Sequence, residues 1–225
     1  MRHAMSMIEL VIAIVVMGIV VASLPTILLQ TQNNNAYAMQ QEAILATKAK
    51  IGEILTYDWD EKSYDTNASR AFVLDTTSNA DLNRFIDNRR IGHIQLDGRR
   101  RLSNTNTTPT ASGLLGSESG DLDDIDDFNG DITTLTLDAE SAGSLDYVFD
   151  LNLSTAVTYA SDTANFSPTT LNNFAFDPTD VGTITNIKTI TVTATSTDGS
   201  LKTIILRAFT SNIGESTPLP SRPYQ

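Results

Sequence analysis

The stretch MRHAMSMIELVIAIVVMGIVVASLP (Met1–Pro25) decides how the rest of the chain is read. Leu10 to Leu29 is an uncharged, mostly apolar run of 20 residues, and Glu9 stands at its edge. That run matches the length of helix needed to cross the hydrocarbon core of a bilayer. A carboxylate near the end of such a helix is costly, by roughly 3 kcal/mol at the bilayer centre and less toward the interface. Three readings compete. A secretory signal peptide would use Arg2 as its basic region and the small residues near Ser23 as a cleavage site. That leaves Glu9 unexplained, along with the apolar residues that continue past Pro25 to Leu29. A plain signal anchor explains the length but neither Glu9 nor the four residues before Met5. A third reading accounts for all of these features.

The rest of the composition narrows the classes. The chain has 225 residues, enough for one membrane helix and one modest domain. With no cysteine, disulfide and thiol chemistry are excluded. A net charge of −12, from 27 acidic and 15 basic residues, argues against nucleic acid as a partner, because phosphate binding is driven by Lys and Arg. Catalytic signatures are missing as well. One of the two histidines lies in the leader, leaving only His93, and no HExxH, GxSxG or Gly-rich phosphate loop is present. The expectation is a non-enzyme with no cofactor and no metal.

The segment Met5–Ile19 resembles the processing and assembly segment of type IV pilins and type II secretion pseudopilins. The resemblance implies a leader of residues 1–4, cut between Ala4 and Met5 by a prepilin peptidase. It also implies methylation of the new amine at Met5, with Glu9 as the fifth mature residue and the group that guides filament assembly. Ala4 stands where the family usually has Gly, and Met5 where it usually has Phe; both keep the size class. The implied partners are the prepilin peptidase, other pilin or pseudopilin subunits, an inner-membrane assembly platform, and lipid before assembly. The implied location is the bacterial inner membrane, single-pass, with the C-terminal bulk in the periplasm and later in a filament. The charge of Arg2 before the span agrees with that orientation. Later blocks, YDWDE, DDIDDFNG, IKTITVT and SNIG, are similar to the D-type minor pilins of mannose-sensitive haemagglutinin pili and to the larger minor pseudopilins. The function implied is a minor subunit that joins or primes a pilus-like filament. The alternatives are an uncleaved, membrane-anchored periplasmic binding or sensing domain and a secreted binding module.

The fold expected is α+β, with a long N-terminal helix packed on a C-terminal antiparallel sheet. The transmembrane or filament-core helix covers 5–29 and its periplasmic continuation 30–56. Gly18 and Pro25 predict a kink or local melting within it. Ile44, Ile51 and Leu55 fall within about 40° of one another on a helix and predict the stripe that faces the sheet. Gln30–Asn35 is either a turn of the same helix or a flexible break. The β-rich domain takes 57–225, with Trp59 at the join between helix and sheet. Ala71–Asp75 and His93–Leu96 are short strand candidates, and Asp131–Leu137 and Leu145–Leu153 stronger ones. Ile187–Ser196 and Leu201–Ser211 form a hairpin (187–211) about a two-residue Asp198-Gly199 turn. The basic clusters Arg89–Arg90 and Arg99–Arg101 read as solvated loop charge. Asp121–Asp131, with six aspartates in its DLDDIDDFNGD, could bind Ca²⁺. EF-hand spacing is not met, and the favoured reading is a turn anchored by Ile125 and Phe128 with its carboxylates in solvent.

Overall fold

The computed structural model describes residues 6–67, 70–76, 78–82, 84–85, 89–90, 102, 107–118, 120–137, 149–163, 176–197, 199 and 201–215. Ala4, Met5, His93–Leu96, Arg99–Arg101, the first four residues of the expected strand Leu145–Leu153, Asp198 and the C-terminal residues from Ser216 lie outside the described residues.

A single helix, α1, runs from Met7 to Ile54 without interruption. At 1.5 Å per residue its 48 residues span about 70 Å. The melting expected between Gly18 and Pro25 does not occur: both residues lie inside continuous helix, as do Gln30–Asn35. Proline removes one backbone donor, but the flanking turns close around it, as is common in membrane helices. The hydroxyls of Ser23 and Thr31 donate back to the carbonyls of Val20 (2.8 Å) and Ile27 (3.0 Å), so neither needs an outside partner.

The main sheet is an antiparallel meander of β5 (Ile132–Leu137), β6 (Phe149–Ala160), β7 (Ile187–Ser196) and β8 (Ile204–Ser211), in that order. Two minor hairpins precede it. They are β1 (Tyr64–Asp65) with β2 (Arg70–Ala71), and β3 (Arg84–Phe85) with β4 (Arg89–Arg90). The expected strand at Ala71–Asp75 shrinks to its first residue and an isolated parallel bridge between Val73 and Leu102. The hairpin of β7 and β8 is present, but its turn is longer than two residues. The register pairs Ala194 with Ile204, and Gly199 carries a φ of +72° within that connection. The amide of Leu201 donates to the Ser196 hydroxyl at 3.2 Å, so side-chain bonding closes the wider turn.

The lower half of α1 packs mainly on β7 and β8. Its buried face is Ala43, Thr47, Lys50, Ile51 and Ile54, spaced by three and four. The stripe predicted from Ile44, Ile51 and Leu55 is therefore rotated. Only Ile51 faces inward, while Ile44 and Leu55 are 44% and 43% exposed. The small Ala43 and the Thr47 hydroxyl, which donates to the Ala43 carbonyl at 2.6 Å, let helix and sheet approach closely. Against this face stand Leu151, Leu153 and Val157 of β6 and Ile190, Val192 and Ala194 of β7, in period-two alternation. Trp59 does sit at the join between helix and sheet, in a second cluster with Leu74 and Tyr159. Beyond β8 the chain is pinned beside Leu74: Asn212 accepts from its amide (2.9 Å) and donates to its carbonyl (2.7 Å). Gly214, at φ +57°, then passes so close that a Cβ would lie 2.9 Å from the Phe72 and Val73 backbone.

Candidate functional site

Two features stand apart from ordinary core packing. The first is the upper half of α1. Every large apolar side chain from Met7 to Leu29 is more than half exposed, from 51% at Leu24 and Val20 to 88% at Met7. An apolar helix half with no cover among the described residues is a candidate membrane anchor, by length and composition. Glu9 lies in its first turn. Its carboxylate accepts from the Ser6 amide at 3.0 Å, and the Ser6 hydroxyl accepts from the Glu9 amide at 3.3 Å. This is a capping box, legible in the sequence as Ser-x-x-Glu before an apolar run, and the sequence reading passed over it. Gly18 and Pro25 share the same helix further down, away from Glu9. The structure thus collects Glu9, Gly18 and Pro25 on one continuous element but brings no two of them into contact.

The second feature is the joint at the lower end of α1. Lys50 is 9% exposed and pairs with Asp131 at 3.2 Å and Glu53 at 3.5 Å, with its ammonium 4.9 Å from the Phe128 ring centre. One layer deeper lies Lys188 of β7, fully buried. Its ammonium donates to the Trp59 carbonyl at 2.6 Å, to Asp60 Oδ2 at 3.3 Å, and to Asp126 Oδ1. The Trp59 ring centre is 4.3 Å from Nζ, and that of Tyr159 is 5.7 Å away. Two carboxyl groups, Asp60 and Asp126, thus contact one lysine, with Asp124 next to Asp126, all three at most 2% exposed.

This overturns the expectation that the Asp121–Asp131 carboxylates are solvated. Ile125 and Phe128 are anchored in the core as expected, yet Asp124, Asp126 and Asp127 are buried with them. The reason is local. Asp124 Oδ1 accepts from the amides of Asp126 (2.7 Å) and Asp127 (3.2 Å), and Asp127 Oδ2 from those of Asp123 (2.9 Å) and Asp124 (3.1 Å). These carboxylates satisfy the backbone of the 3-10 turn Asp126–Phe128, and Asp124 also accepts from the Glu61 amide. Among the described residues no group of three or more His, Cys, Asp or Glu side chains is arranged to hold a metal ion. Lys188 was missed because it reads as an isolated charge. Its phase with Ile190 and Val192, two and four residues on, was the available signal that it faces the core.

Burial pushes the Asp124 carboxyl up from its ordinary 3.8 to about 8, with the facing Asp126 adding to the shift; Lys188 and the Glu61 amide oppose it. Burial and the nearby aspartates also raise the Tyr159 hydroxyl, which donates to the Thr110 carbonyl at 2.7 Å. A folded-state value above the unfolded one means that the folded protein holds a proton the unfolded chain releases. That contribution to stability is complete below pH 3.8 and is lost as the pH rises through about 8. The full-length protein in detergent is therefore expected to lose several degrees of melting temperature between about pH 5 and pH 9, and Asp124→Asn is expected to flatten that slope. Parallel melts of the two proteins across this range check it.

Comparison of the chain with protein-family profiles, with curated proteins and with solved structures finds no match.

Proposed function

We propose that this chain is a minor pilin or pseudopilin, a structural subunit that is inserted in the inner membrane, processed by prepilin peptidase and assembled into a type IV pilus-like filament. The observation that carries the proposal is the division of α1. One unbroken helix has an upper half with no cover and Glu9 in its first turn, and a lower half seated on the sheet. In a bilayer the upper half meets lipid; in a filament it meets other copies of the same segment. A continuous helix suits both, since it transmits position from the membrane to the domain. The role is structural rather than enzymatic, and the partners are the peptidase, other subunits and the assembly platform.

A second reading is an uncleaved anchor holding a periplasmic binding or sensing domain. The capping box favours it, since it gives Glu9 a use within a single chain. The mature N-terminus separates the two. Mass spectrometry of the protein from membranes is expected to show a chain that starts at Met5 with a methylated amine. Ala4→Trp is expected to leave the precursor uncut, because the peptidase must admit a small residue before the bond it cleaves. A native chain that keeps Met1, or that starts near Leu24, would exclude the filament reading.

A further inference from the structure

We propose that Lys188 and Asp126 condense to an intramolecular isopeptide bond, so that the mature domain carries an amide cross-link between β7 and the 3-10 turn Asp126–Phe128. The inference does not depend on the filament reading.

The argument starts from what surrounds the amine. Lys188 and Asp126 are in direct contact at 0% and 2% exposure, so bulk water has no access to the pair. Leaving two charges in such a place is expensive, and a neutral amide removes that cost. The two neighbouring carboxyls have different surroundings, which divide the roles between them. Both oxygens of Asp60 accept backbone N–H groups, Oδ1 from Lys62 (3.2 Å) and Oδ2 from Thr110 (2.9 Å). Asp60 touches the amine at 3.3 Å and is placed to act as the base. Asp124 stands beside Asp126, its Oδ1 accepting from the Asp126 amide at 2.7 Å, and burial pushes its carboxyl toward the acid form. It polarises the carbonyl of Asp126, which makes Asp126 rather than Asp60 the acceptor.

The step balances within the cluster. The Lys188 ammonium gives a proton to Asp60, and the freed Nζ pair attacks Cγ of Asp126. The C–N bond forms as the carbonyl electrons move to oxygen, where Asp124 stabilises the charge. One carboxyl oxygen then takes a proton from the nitrogen and the proton held by Asp60, the C–O bond breaks, and water leaves. Asp60 returns to carboxylate and Asp124 keeps its proton. An ammonium and a carboxylate become one amide and one water, with no oxidant or activated group required. The product also satisfies its surroundings. The remaining amide N–H keeps the Trp59 carbonyl as acceptor, and the Asp124 carboxyl stands beside the new carbonyl. The Trp59 and Tyr159 rings close the site against the water that would reverse the reaction.

Such a bond closes a loop between positions 62 residues apart in a chain with no cysteine. Like a disulfide, it would remove conformations from the unfolded state, and it would also survive reduction.

The native protein tests this after denaturation and trypsin digestion. No Lys or Arg lies between Arg101 and Lys188, so an unmodified chain gives separate peptides 102–188 and 189–202. The cross-linked chain is expected to resist cleavage after Lys188 and to give a single 102–202 species lighter by one water. Fragmentation is expected to locate the branch at Asp126. Asp126→Ala is expected to restore cleavage after Lys188, and Asp60→Asn to leave most of the protein uncoupled. Recovery of the free 189–202 peptide in full yield from the native protein would overturn the proposal, and so would a branch found at Asp60. The digest is read on denatured material, so a variant that folds poorly does not blur the result for the native chain.

Discussion

Lys188→Met is expected to destabilise the β domain by about 3–5 kcal/mol, the usual cost of leaving a buried charge without its partner. The substitution roughly keeps the volume of the side chain but deletes the only cation touching Asp60 and Asp126 among the described residues. It also leaves the Trp59 carbonyl without its donor. Denaturant unfolding of the full-length chain in detergent measures the loss. Adding Asp126→Asn to Lys188→Met is expected to recover part of it, because a neutral amide tolerates burial better than an unpaired carboxylate. A loss below about 1 kcal/mol would mean that the three carboxyls are neutral without the lysine, and that the joint does not depend on it. Loss of the proposed cross-link would act in the same direction, and the tryptic digest separates the two contributions.

If the proposed filament reading holds, Glu9→Gln is expected to leave insertion and folding intact while lowering incorporation into filaments by roughly tenfold or more, as expected when a charge in a low-dielectric core loses its partner. The capping box sharpens this experiment. Glutamine at the third helical position can still accept from the Ser6 amide, so the start of the helix is preserved while the charge is removed. What is lost is the attraction for a cationic amine, either that of its own Met5 four residues before it or that of a neighbouring subunit. Glu9→Asp keeps the charge with a shorter reach and is expected to fall between. Sheared filament fractions compared with membrane fractions give the readout. Normal incorporation of Glu9→Gln would assign the carboxylate to the cap alone.

Local pattern determined much of this protein. The 20-residue apolar run Leu10–Leu29 set the long helix by its length, and alternation of β-branched residues set β5 and β7 almost to the residue. The proposed pilin-like reading rests on the local pattern Ala4, Met5 and Glu9, of which Glu9 lies among the described residues, in the first turn of α1. Three matters were decided only by tertiary packing. The face of α1 that turns inward follows Ala43 and Thr47, because closeness of approach, rather than side-chain hydrophobicity, selects the contact. The helix passes through Pro25 intact, because the propensity of one residue is outweighed by the cooperativity of the turns around it. Asp124, Asp126 and Asp127 of the 121–131 loop are buried rather than solvated, because local backbone amides are joined by partners far along the chain: Glu61 is 63 residues from Asp124, and Lys188 is 62 from Asp126. A charge seen alone in sequence favours water. It is the fold that supplies the amide groups and the counter-charge that let it stay inside.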